Sequence, residues 1–421
     1  MQTIYTPTPI PANPFNSFWM AGYECTDQLN AFGNRVDLLE QTGHLKRLSE
    51  DYGLLNQFNI KTVREGIRWS HVEKRAYTYD WTDVDYMMRV ARENGIQQVW
   101  DLCHFGFPDD LTPLHPMFAR RFAKMARAFV MHYRDLYADG DLIITPINEV
   151  SFISWLGGDA RGTSPYCRGQ GWEVKYALMR AYIEGVLEMK EADPTVKIMS
   201  TEPLVNIVPQ IAGDQEQVLA AAKINEDQYQ AMDILTGRIC GELGGKPDLL
   251  DIQGLNFYYN NQWINGTSNF LPWFNEENDP RWKPLSALLA SAYRRYSKPV
   301  VLSETSHCAE HRPNWLEFIT KECCKILDAG IPLYGVCLYP IIDRPDWDHQ
   351  QLWHDAGLWS LKVIDGVGED RELYLPYASE LLLSQDIIRN KLDEGVPLIS
   401  QVIHSDQQVV ERRDVHFHYD M

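Results

Sequence analysis

Eight short runs rich in apolar, β-branched and aromatic residues recur along the chain, at 18–25, 62–69, 97–103, 142–148, 197–201, 251–259, 299–304 and 333–340. Longer segments with helical periodicity separate them. In 116–137, Phe118, Phe122, Met125, Phe129 and Tyr133 recur at spacings of three and four, which lines one face of a helix. Segments 81–94, 172–193, 284–297, 313–330 and 376–392 share this pattern and end at charged or Gly/Pro-marked stops. Strand-then-helix units repeated eight times, at intervals of roughly 34 to 55 residues, predict a closed parallel (β/α)8 barrel. No Gly/Ser/Pro-rich linker interrupts the alternation, so one catalytic barrel is expected over 1–393. A doubly wound sheet would need a glycine-rich turn after its first strand, and GYECTDQ (22–28) offers none.

The alternation stops near residue 393. The remainder, 394–421, contains short alternating stretches that suggest a small hairpin or an oligomer contact, so a homo-oligomer stays open. His404, His416 and His418 there read better as part of a polar surface strand than as metal ligands. With 39 basic and 58 acidic residues the chain carries a formal charge of −19, which disfavours nucleic acid and anionic membrane surfaces as partners. The first residues lack a basic-then-apolar leader, and no stretch reaches the roughly 18 apolar residues of a membrane span. A soluble, cytoplasmic protein is expected. The eight cysteines include no C-x-x-C pair and read as reduced thiols, and neither a metal nor another cofactor is expected.

Barrels of this kind place reactive groups at the C-terminal ends of their strands. The fourth run ends in TPINEVSF, with Asn148 and Glu149, and the seventh in VLSETSH, with Glu304. Strands four and seven of an eight-stranded ring face each other across its mouth. Two such carboxyls can hydrolyse an acetal, one protonating the leaving oxygen while the other attacks the anomeric carbon. Glu202, in MSTEPL, is a rival strand-end carboxylate without a partner motif. Glu65 alternates with Arg64 and should point away from the barrel interior.

Seven short motifs then stand in one order: REGIRWS (64–70), CHFGFPDDL (103–111), TPINEV (145–150), GLNFYY (254–259), SETS (303–306), YPIIDRPDW (339–347) and GLW (357–359). In this set the sequence resembles glycoside hydrolase family 1 and, more loosely, the wider clan of barrel glycosidases, over most of residues 15–362. The resemblance implies Glu149 as acid/base, Glu304 as nucleophile and Asn148 as the residue bonding the sugar 2-hydroxyl. It also implies Arg64 and Tyr258 beside the nucleophile, with Asn256 close by. His104, Tyr339, Asp346 and Trp347 would contact the sugar. The chain departs from the family at several of these points. Gln28 falls one position short of the family's sugar-binding glutamine, which makes Glu24 the alternative, while Tyr339 replaces a tryptophan and Asp346 a glutamate. These changes leave the chemistry in place and the sugar open, with Asp346 expected to set the preference. The activity so implied is a retaining exo-β-glycosidase acting on a small-molecule or oligosaccharide β-glycoside. The alternatives are a glycan-binding pseudoenzyme on the same barrel and a clan member with endo or transglycosylating action.

Overall fold

The computed structural model describes residues 11–274, 279–364 and 367–393, so the expected tail 394–421 lies outside the described residues. Eight strands close into a barrel: β1 (Trp19–Gly22), β2 (Thr62–Gly66), β3 (Gln97–Asp101), β4 (Ile143–Thr145), β5 (Lys197–Pro203), β6 (Ile252–Asn256), β7 (Val300–Thr305) and β8 (Leu333–Leu338). Each lies within or largely within one of the eight expected runs, and every neighbouring pair around the ring is parallel, with β1 closing on β8. The fold is a (β/α)8 barrel.

Strand alternation sorts the core into two layers. Met20, Val99, Ile143, Met199, Ile252, Val301 and Cys337 pack together inside the barrel. Their chain neighbours Ala21, Trp100, Ile144, Ile198, Leu302 and Val336 instead join the larger cluster between barrel and helices. The helix Phe118–Leu136 buries Phe118, Phe122, Met125 and Phe129 in that layer, as its periodicity implies. The indole of Trp69 meets the rings of Phe118 and Phe122 edge-on, at centroid distances of 5.4 Å each. Among the described residues, no helix is long and apolar enough to cross a membrane.

Two small features escaped the sequence patterns. Asn206–Val208 and Gln262–Ile264 pair in parallel beside the barrel mouth, and Trp359–Ile364 pairs antiparallel with Val367–Leu373 before the last helix, Leu375–Asp393. Three-residue strands are too short to show a period, and Val367–Leu373 (VGEDREL) is mostly polar.

The same alternation turns Arg64 inward and Glu65 outward, as expected. Glu65 Oε1 lies 3.0 Å from His44 Nε2 and accepts the Tyr52 hydroxyl at 2.7 Å. His44 Nδ1 lies 2.7 Å from Asp51 Oδ2, and Arg371 Nε donates to Asp51 Oδ1 at 2.7 Å. Burial works against a charged His44, but Glu65 and Asp51 outweigh it and push its pKa up to about 9. A raised histidine pKa stabilises the fold fully below the ordinary value of 6.5, and that stability is lost as pH rises through about 9. The expected contribution is roughly 3 kcal/mol. Thermal melts of wild type and His44→Gln should therefore differ most near pH 6 and converge toward pH 10. A gap independent of pH would show that His44 contributes by packing alone.

Candidate active site

The C-terminal ends of the strands surround a cavity of about 1020 Å³, lined by Glu24, His104, Glu149, Tyr258, Glu304 and Tyr339 among others. A smaller concavity of about 540 Å³, around Gln97 and Asp139, lies at the opposite end, where β3 begins. Local chain geometry fixes the two carboxylates of the larger one. Between β4 and the helix Val150–Gly158 the backbone of Glu149 takes a left-handed conformation, φ 44°, which a non-glycine residue adopts at a cost of order 1 kcal/mol or more. Tertiary bonds hold it there, since the N–H groups of Asn148 and Glu149 donate to the carbonyls of Cys103 (2.9 Å) and Thr201 (2.8 Å). Glu202 accepts the Ser151 N–H at 3.1 Å, in the first turn of the helix Val150–Gly158. It does not line the cavity, so the rival carboxylate anchors the segment that carries Glu149.

Glu304, on β7, meets donors with both oxygens. Arg64 Nη1 donates to Oε1 at 2.6 Å, and the Tyr258 hydroxyl donates to Oε2 at 2.7 Å. Burial and the neighbouring Glu304 charge push the Tyr258 phenol well above its ordinary range, so it remains a donor. Arg64 is buried, which works against its charge, yet Asp101 and Glu304 outweigh this and hold it protonated. Its remaining donors reach Asp101 (Nε to Oδ1 3.0 Å, Nη2 to Oδ2 2.7 Å), Asn148 Oδ1 (2.7 Å) and the Ser303 carbonyl (3.2 Å). One guanidinium thus ties together the ends of β2, β3, β4 and β7.

The second carboxyl has a different environment. Among the described residues, Glu149 Oε1 accepts only from Asn256 Nδ2, at 2.9 Å, and Asn256 is oriented in turn by the Ser303 hydroxyl at 2.6 Å. Although its side chain borders cavity space, desolvation by the cavity walls and then the charge of Glu304 raise its pKa well above the usual carboxylate value. The pair is therefore unequal: Glu304 is held by two donors, whereas Glu149 has one and a pKa raised above the usual carboxylate value.

Asp101 went unrecognised in the sequence. It sits at the end of β3, two residues beyond Val99 on the interior face, and besides Arg64 it lies 2.7 Å from His104 Nδ1. Arg64 and His104 hold its carboxyl below the ordinary range despite burial. With Nδ1 engaged, His104 presents Nε2 to Tyr339 Oη (3.3 Å), Glu24 Oε1 (3.4 Å) and Asn148 Nδ2 (3.4 Å). Donor atoms of Cys25, Asp101 and His104 lie within 4.8 Å of one another, a spacing that could hold a metal. That set does not suit a cation, because Asp101 is bonded to a guanidinium and burial raises the Cys25 thiol well above its ordinary range.

Tyr339 stacks on His104 at 5.6 Å with an interplanar angle of 11°, and Arg64 lies 5.1 Å from its ring centroid. Gly22 makes room for that ring, since a Cβ there would fall 2.0 Å from Tyr339 Cδ2. Trp347 packs edge-on to Phe105 at 5.5 Å.

Four residues expected around the sugar, Asn148, Asn256, Gln28 and Asp346, are not drawn into the cavity lining; Asn148 and Asn256 are fully buried, bonded to Arg64 and Glu149. Gln28 is buried outside that lining, with Oε1 lacking a hydrogen-bond partner among the described residues. Asp346 faces its own turn, where Oδ1 accepts the N–H groups of Asp348 (2.9 Å) and His349 (2.8 Å). Oδ2 lies 3.4 Å from His354 Nε2. An aspartate is short enough to close this loop on itself. The neighbouring Arg344 lines the cavity instead, with Nε 3.3 Å from Glu24 Oε2.

No family model matches the sequence, and no curated protein matches it. Solved structures do. The chain is similar to a family 1 β-glucosidase from Thermotoga maritima, with TM-score 0.67 and 16% identity, covering 83% of this chain and 86% of that one. A complex of β-glucosidase from Thermotoga maritima with glucoimidazole gives TM-score 0.65 at 16% identity, over 82% and 87%. The AHE enzyme from Alicyclobacillus herbarius gives TM-score 0.65 at 16% identity, over 83% and 87%. At this identity the likeness establishes the fold, and the chain shares its closed eight-stranded barrel with these proteins.

Proposed function

We propose that the protein is a retaining exo-β-glycosidase that removes a terminal β-linked sugar from a small-molecule or oligosaccharide glycoside. The observation that carries this reading is the unequal pair of carboxyls in one cavity, Glu304 bonded by Arg64 and Tyr258, and Glu149 bonded by Asn256 with its pKa raised by burial and by the Glu304 charge. Glu304 attacks the anomeric carbon as Glu149 gives its proton to the departing glycosidic oxygen, leaving a glycosyl ester on Glu304. Glu149, now a carboxylate, takes a proton from water, which attacks the same carbon and releases Glu304. Asn148, fully buried, accepts from Arg64 and lies 3.4 Å from His104 Nε2, which supports a positioning role for it behind the sugar.

The distribution of polarity in the cavity supports action on a chain end. Glu24, His104 and Tyr339 form a deeply buried polar part, each at most 4% exposed, while Trp155 and Phe270, both 53% exposed, mark the solvent side. One sugar fits the former, and the aglycone lies along the latter. Names of similar structures point the same way, being those of β-glucosidases, one of them bound to glucoimidazole. A pure glycan binder would need neither the raised pKa of Glu149 nor the doubly bonded Glu304. Eight free cysteines favour a reducing compartment such as the cytoplasm.

A panel of 4-nitrophenyl α- and β-glycosides tests the proposal. Hydrolysis confined to β-glycosides is expected. Binding of β-glycosides without hydrolysis across pH 4–9 would favour the binding-protein reading instead.

A further inference from the structure

Arg344 adds a full positive charge to a cavity that would hold a sugar, and its placement has a definite consequence. Its side chain is 20% exposed and borders the same space as Glu24 and Glu304. The guanidinium carbon lies 5.2 Å from the Trp347 ring centroid, and Nη1 donates to the Pro345 carbonyl at 3.1 Å. Among the described residues, Glu24 is the one carboxylate within ion-pair distance of it. Glu24 comes from the segment after β1 and Arg344 from the segment after β8, so the pair joins the loops of two adjacent strands on one side of the cavity. Oε1 of Glu24 is occupied by the Thr26 hydroxyl (2.6 Å) and N–H (3.2 Å). Oε2 faces Arg344.

We propose that Glu24 and Arg344 together select the sugar, admitting a neutral glycoside whose hydroxyl donates to Glu24 Oε2 and accepts from the Arg344 guanidinium, and rejecting a uronic-acid glycoside. The inference rests on the glycosidase reading and names its substrate class. An unopposed arginine in a dry sugar pocket would draw in a carboxylate, since guanidinium and carboxylate pair through two parallel bonds. Here Glu24 Oε2 already faces the guanidinium, 3.3 Å from Nε, and Nη1 is taken by the Pro345 carbonyl. A uronate drawn to Arg344 would compete with this 4%-exposed carboxylate for the guanidinium, and would meet negative groups in Glu24 and again in Glu304. A neutral hydroxyl satisfies both members without separating them. Asp346, with both oxygens engaged in its own loop, has no part in this selection.

The test is kcat/KM of wild type, Glu24→Gln, Arg344→Met and Asp346→Asn on 4-nitrophenyl β-glucoside, β-galactoside and β-glucuronide, with thermal melts to check folding. Wild type should prefer the neutral sugars. Glu24→Gln frees the guanidinium and should raise the glucuronide-to-hexoside ratio about tenfold or more. Arg344→Met should lose about tenfold or more on its preferred hexoside without gaining on glucuronide. Asp346→Asn should leave all three ratios within about twofold. A wild-type preference for glucuronide overturns the inference, as does an Asp346→Asn shift as large as that of Glu24→Gln. So does hydrolysis with unmoved ratios in both cavity variants, which leaves the glycosidase reading intact. If Glu24→Gln fails to fold, Arg344→Met decides alone, and an unchanged hexoside kcat/KM sinks the proposal. Absence of hydrolysis of every β-glycoside by wild type overturns the underlying reading and this one with it.

Discussion

Replacing Glu304 with glutamine is expected to lower kcat on every β-glycoside by on the order of 10⁴-fold or more, the scale seen when a covalent nucleophile is removed. The effect should not depend on the leaving group. Glutamine keeps the size of the side chain, so it keeps the Tyr258 contact and the cavity shape, but its amide cannot form the glycosyl ester. It also leaves Arg64, which now bonds Glu304 at 2.6 Å, short of an anionic acceptor. Asp101 and Asn148 still hold that guanidinium, so melting should change far less than turnover. Residual activity within about tenfold of wild type would show that another group attacks the sugar.

Glu149→Ala should behave differently because its work depends on the leaving group. Glycosides with poor leaving groups need a proton as the bond breaks and should lose roughly 10²- to 10⁴-fold in kcat/KM. A dinitrophenyl glycoside needs almost none, and its kcat/KM, which reports the first bond-breaking step, should be largely spared. The pH profile gives a second signature. Desolvation and the Glu304 charge raise the Glu149 pKa, so the acid stays protonated into pH values where an ordinary carboxyl has ionised. Wild-type kcat/KM should fall as pH rises through that raised value, and the alkaline limb should vanish in Glu149→Ala. Equal losses on good and poor leaving groups, or an unchanged alkaline limb, would separate Glu149 from proton transfer.

Much of this was legible in the sequence because barrels impose two strong regularities. Strand-helix alternation marks each unit, and strand ends collect the reactive groups. Both regularities are local, and they located Glu149 and Glu304, while Arg64 and Tyr258 came from the resemblance of short motifs to glycoside hydrolase family 1. What they could not show is which way a loop side chain turns. Asp346 and Arg344 lie two residues apart in one loop, and only the closed turn through Asp348 and His349 decides that the arginine, not the aspartate, borders the cavity. Asp101 was missed for another reason. A single acid in WDLCH reads as an ordinary strand end until Arg64, 37 positions earlier, is brought beside it. Glu202 illustrates the converse, a strand-end acid with the right address and a positioning role, holding the helix start after Glu149.

The central claim is that Glu149 and Glu304 act by double displacement, and the stereochemistry of the first product tests it most directly. Proton NMR of the sugar released from a β-glycoside, recorded in the first minutes before mutarotation, should show the β-anomer. Initial release of the α-anomer would mean that water attacks the sugar in a single step, which contradicts a covalent intermediate on Glu304.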